Sequence, residues 1–134
     1  MRRFKTNILI RDKRLKQMQQ NGINVNYEIL CQKKYLDELK LKLVEEATEC
    51  LNTPLTEKDE LSKELADILE VIDYLIKAAN LNPAEILAYK KKKHEKLGGF
   101  DLKIKTHFVE IDENNKLELD YYLKFPDKYP CIDK

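Results

Sequence analysis

A mainly α-helical fold is what this sequence predicts, and three observations predict it. Apolar residues recur at three- and four-residue steps over 33–51 and again over 56–79, the spacing of one helix face. The 134 residues include only 3 Gly and 4 Pro, too few for the many turns of a β-sandwich or barrel. Hydrophobic residues make up 43% and charged residues 37%, a mixture that buries a core beneath a polar surface and fits neither a disordered chain nor a membrane span. A chain of this length suits one domain over 1–134.

The elements follow in order. Residues 11–20 have helical composition and stop at Asn21-Gly22. Ile23, Val25, Tyr27 and Ile29 alternate with polar neighbours, which predicts a short N-terminal strand over 23–30. A helix over 33–51 follows, with Leu36, Leu39, Leu43, Ala47 and Cys50 along one stripe; Cys50 reads as a core thiol. Asn52-Thr53-Pro54 ends it, because the residue before proline disfavours the helical region. Thr56 with Asp59 reads as a capping box opening a second long helix to about residue 79. Its stripe is Leu61, Leu65, Ile68, Leu69, Ile72 and Ile76. Asn82-Pro83 opens a further helix as N-cap and first-turn proline, and Gly98-Gly99 closes it. Two alternating runs, Leu102 to Phe108 and Leu117 to Phe125, flank a turn at 112–115 and predict a C-terminal β-hairpin.

A formal net charge of +1 conceals strong asymmetry. Residues 1–20 carry seven basic side chains against Asp12 alone, and residues 37–73 carry twelve carboxylates against four lysines. The run 90–96 is basic again, a pattern that also suits a solubilising helix end. Nucleic acid is not an expected partner, since the acidic centre repels phosphates. The N-terminal apolar run is only Ile8-Leu9-Ile10, too short for a signal peptide, and no run approaches the length of a membrane helix. Three cysteines at wide spacings fit neither a disulfide framework nor a zinc ribbon, so a cytoplasmic protein is expected.

The chemistry sits in the acidic centre. Glu46 and Glu49 are three residues apart and share a helix face, as do Glu64 and Asp67 on the next helix. At 100° per residue, Glu46 abuts the apolar stripe of its helix and Glu64 is bracketed by apolar neighbours. Two helices joined by a short connection pack antiparallel, which gathers the four carboxylates at one edge of the seam. Four carboxylates that close cannot all stay ionised unaided. With oxygen donors only, and neither His94 nor His107 in the set, the cluster favours Mg²⁺ first and Mn²⁺ second. The absent Glu-x-x-His element argues against a di-iron oxidase. Lys42, one turn before Glu46, is expected to pair with it. Tyr74 and Phe100 suit either base stacking or packing.

Lys42-Leu43-Val44-Glu45-Glu46-Ala47-Thr48-Glu49, followed by Glu64-Leu65-Ala66-Asp67, resembles the Glu-Glu-x-x-Glu and Glu-x-x-Asp signature of the all-α NTP pyrophosphatases, the MazG-like and phosphoribosyl-ATP pyrophosphohydrolase-like proteins. Leu9-Ile10-Arg11-Asp12-Lys13, Glu70-Val71-Ile72-Asp73 and Lys96-Leu97-Gly98-Gly99-Phe100 are also similar to that family, so the likeness covers about residues 7–100. Lys13-Arg14-Leu15 departs from the Lys-Ile-Pro of many relatives. The resemblance implies an antiparallel helical bundle and a Mg²⁺-dependent hydrolase that splits a nucleoside triphosphate between its α- and β-phosphates. It implies Glu46, Glu49, Glu64 and Asp67 as metal ligands, with Glu45 beside them and Glu45 or Glu46 serving the attacking water. Arg11, Lys13, Lys93 and Lys96 would meet the phosphate tail, and the protein would be a homodimer or homotetramer. Phosphoribosyl-ATP is an alternative substrate. A non-catalytic helical module whose acidic face binds a basic partner is the alternative of a different class.

Overall fold

The computed structural model describes residues 1–133. Its elements are α1 (Asp12–Gln20), α2 (Gln32–Asn52), α3 (Lys58–Ala78), α4 (Pro83–Leu97) and α5 (Lys116–Leu123). Among the described residues there is no strand, so the fold is mainly α. The backbone divides into two compact units, Met1–Lys91 and Lys92–Lys134. No described helix is long and apolar enough to cross a membrane.

The first unit is built on a hairpin of α2 and α3, which pack along each other. The link of five residues, 53–57, allows only an antiparallel return. The side-chain amide of Gln32, at the start of α2, donates to the carbonyl of Ala78, at the end of α3, at 2.8 Å. The seam takes half-buried Leu36 and Leu43 from α2 and Leu61, Ile68, Val71, Ile72 and Leu75 from α3. Leu39 is the most deeply buried apolar side chain described, at 3% exposure, and Glu46 is buried almost as deeply, at 7%. Leu65 and Leu69, expected in the stripe, lie instead on the exposed side of α3.

Helix ends follow local chemistry. Gly22, with φ +77°, closes α1: its N–H donates to Gln19 and that of Ile23 donates to Met18. Asn80, with φ +53°, closes α3 in the same way through its own N–H to Lys77 and that of Leu81 to Ile76. In both, the left-handed residue satisfies carbonyls that the helix leaves without donors. Asn82 caps α4, its Oδ1 accepting from the N–H of Ala84 at 2.9 Å, with Pro83 in the first turn. The expected capping box at Thr56 and Asp59 does not form: α3 starts after Glu57, and no side chain caps it.

Two expected β elements are also absent. Residues 23–30 alternate apolar and polar yet form neither helix nor strand, and Ile29 is 93% exposed. A strand needs a neighbour to receive its backbone hydrogen bonds, and none of the described residues supplies one. The C-terminal hairpin is replaced by irregular chain over 102–112 and by α5. The turn at 112–115 does form: Asp112 Oδ1 accepts from the Asn114 N–H at 2.8 Å. Beyond it the aromatic spacing prevails over the alternation. Tyr121, Phe125 and Tyr129 are four residues apart, and their rings meet, with Tyr121 centred 5.7 Å from Phe125 and 6.0 Å from Tyr129. Such ring pairs stabilise a helical turn and its continuation.

Candidate functional site

The helical hairpin places acidic side chains from α2 and α3 face to face. Glu46 reaches the seam because it lies about 60° around the helix from Leu43, on the edge of the apolar stripe. Glu64 and Asp67 stand one turn apart on α3. One carboxylate oxygen from each of Glu46, Glu64 and Asp67 lies within 4.8 Å of the others. Glu46 Oε2 and Glu64 Oε2 are buried and have no hydrogen-bond partner. An orphaned buried oxygen of this kind costs about 1–3 kcal/mol, more when charged, so the pair calls for a proton or a cation. Three all-oxygen donors converging on so small a space suit a hard divalent ion, and the residues present fit Mg²⁺ or Mn²⁺.

Burial, followed by the negative charge of Glu49, holds the pKa of Glu46 above the usual carboxylate range. Lys42 opposes this and Asp67 adds to it. Glu49 thus lies near enough to the cluster to raise the Glu46 pKa, but it is exposed and is not one of the three converging carboxylates. Lys42 pairs with Glu46 as its spacing predicts, and it engages Glu45 as well. Its ammonium lies 3.1 and 3.2 Å from the two oxygens of Glu45 and 3.6 Å from Glu46 Oε1. Glu45 is therefore engaged by Lys42 on the flank of α2, outside the cluster.

Beside the carboxylates lies a cavity of about 390 Å³ within the first unit. Leu9 to Lys13 close one side, Tyr35, Leu39, Lys42 and Glu46 come from α2, and Glu70, Val71 and Tyr74 come from α3. Burial raises the pKa of the Tyr35 phenol, and the nearby Tyr74 and Asp12 raise it further. Arg11 bridges the N-terminal segment to α3, donating to Asp67 Oδ1 at 2.7 Å and to the carboxylate of Glu70. Lys13 lines the cavity. Lys93 and Lys96 stand exposed on the last turns of α4, in the second unit.

Sequence reasoning missed three participants. Glu70 was legible: it continues the row Glu64, Asp67, Glu70 at three-residue steps along α3. Tyr35 stands one turn before Leu39, but nothing in its spacing distinguishes a cavity wall from seam packing. Leu9 lines the cavity only because Arg11 ties its segment to α3. No protein-family profile, curated protein or solved structure matches the chain.

Proposed function

We propose that this protein is a Mg²⁺-dependent nucleoside triphosphate pyrophosphohydrolase that releases a nucleoside monophosphate and pyrophosphate. One observation carries the reading: buried Glu46 and half-buried Glu64 and Asp67 converge, two of their oxygens are unpartnered, and Glu46 also lines a cavity with both basic and aromatic side chains. The likeness of the Glu45-Glu46-x-x-Glu49 and Glu64-x-x-Asp67 pattern to the all-α NTP pyrophosphatases supplies the reaction class and the helical-bundle architecture.

Glu46, Glu64 and Asp67 would hold the ion, with Glu49 alongside. The bound ion supplies polarisation of phosphoryl oxygens and neutralisation of the leaving pyrophosphate. The chain's own residues do the rest. Glu46 and Glu64 each present an oxygen without a hydrogen-bond partner toward the place where the ion would sit. Lys42 keeps Glu45 in place and lowers the cost of charge on Glu46. Arg11 and Lys13 offer positive charge to the triphosphate, which an acidic site would otherwise repel. Tyr35 and Tyr74 offer rings to a nucleobase at the other end of the cavity. A cytoplasmic homo-oligomer is the assembly this reading implies.

Incubation with millimolar Mg²⁺ and a panel of nucleotides is expected to release pyrophosphate, and Glu46→Gln or Asp67→Asn is expected to abolish the release. Orthophosphate as the sole inorganic product contradicts the proposed cleavage site. If no nucleotide is cleaved and Mg²⁺ leaves the melting temperature unchanged, the non-catalytic acidic module is the better reading.

A further inference from the structure

Asp67 belongs to two arrangements at once. Its carboxylate is one of the three that converge within 4.8 Å, and it also accepts from the Arg11 guanidinium at 2.7 Å. Arg11 covers only the outer rim of the cluster. It engages Asp67 and Glu70, whereas Glu46 Oε2 and Glu64 Oε2, further in, have no partner. The Glu46 side chain is 9% exposed, so its free oxygen has little access to bulk water. A planar guanidinium is too large to satisfy these inner oxygens together with Asp67, and a compact ion is not.

We infer that Arg11 is a resident competitor for the cation site, holding Asp67 in the cation-free protein and yielding it when a divalent ion enters. The inference rests on the reading that the cluster takes such an ion. The exchange is favourable in outline. Arg11 is 60% exposed and Asp67 39% exposed, so their pairing is screened by water and weak. A divalent ion interacts with three carboxylates, two of which present an otherwise unpartnered oxygen, and it repels a guanidinium at the same oxygen. Arg11 also stands directly before α1, at the end of an N-terminal segment with no helix or strand of its own. Its release would free residues 9–13 from α3, reshape the cavity wall they form, and leave a cation available for an anionic ligand.

The test is Mn²⁺ alone, titrated by paramagnetic resonance and calorimetry into the full chain, with amide exchange followed over residues 8–13. Arg11→Gln is expected to tighten Mn²⁺ binding roughly three- to tenfold. Lys13→Gln removes the same charge from the same cavity wall and is expected to change the affinity less. In the wild type, Mn²⁺ is expected to speed exchange over 8–13; in Arg11→Gln exchange is expected to be fast without it. Arg11→Lys, which keeps the charge and loses the fork, should fall between. Unchanged or weaker binding by folded Arg11→Gln overturns the inference while leaving the cation site standing. So does an equal gain from Lys13→Gln, or slower exchange on adding Mn²⁺. Failure of both the wild type and Arg11→Gln to bind Mn²⁺ overturns the site itself.

Discussion

At the scale of the residue, Glu46 couples stability to pH in an unusual direction for a carboxylate. Most acids in folded proteins are stabilised in their charged form; burial and Glu49 instead favour the protonated form of Glu46. Its folded-state pKa therefore lies above that of the unfolded chain, so the folded protein holds the extra proton between the two values. The associated stability is present below that window and is lost as pH rises through it. Thermal melts of the cation-free protein are expected to show a Glu46-dependent fall from the ordinary carboxylate range upward. Glu46→Gln should remove that component, and an unchanged pH profile in the variant would contradict the assignment. The spacing of Glu46 from Leu43 already put this carboxylate at the edge of the seam. Lys42 pairs with Glu46 as its spacing predicted, at 3.6 Å; its second partner was not legible, because residues three and four places along a helix are both within a lysine's reach. The structure adds Glu45, at 3.1 Å.

At the scale of the element, the hairpin of α2 and α3 positions every member of the carboxylate cluster. Leu39 is its deepest apolar side chain and also lines the cavity. Leu39→Ala is expected to cost about 3 kcal/mol, read as a lower urea midpoint with the slope of the transition unchanged. A loss below about 1 kcal/mol would mean that Leu39 does not anchor the seam. The four helices from α1 to α4 were legible from periodicity and from their ends: Asn21-Gly22, Pro54, Asn80 and Asn82-Pro83 each mark a boundary that the backbone respects. The β segments were misread for a common reason. Alternation over eight residues says that a segment could line a sheet, but a sheet also requires a partner from elsewhere in the chain. At 116–123 the chain forms a helix instead, and Tyr121 in its last turn meets Phe125 just beyond its end.

At the scale of the whole molecule, the hairpin leaves much apolar surface uncovered. Val44, Leu51, Leu55 and Leu69 are each at least 63% exposed. Large side chains so open to water favour association with another copy. Light scattering is expected to give a mass that is a multiple of the 15.9 kDa chain, lowered by Leu69→Lys. A monomer at tens of micromolar would count against the oligomer that the proposed function implies. The sequence by itself determined the helical class, the ends of the first four helices apart from the start of α3, and the two carboxylate pairs, because these follow from spacing within single segments and from the chemistry of helix ends. Tertiary structure alone decided which carboxylates converge, why Glu49 stands aside, and how Arg11 comes to hold Asp67, 56 residues away in the chain. Those outcomes depend on the rotation and register of one helix against another, and on where a segment without secondary structure lands; short-range periodicity specifies neither.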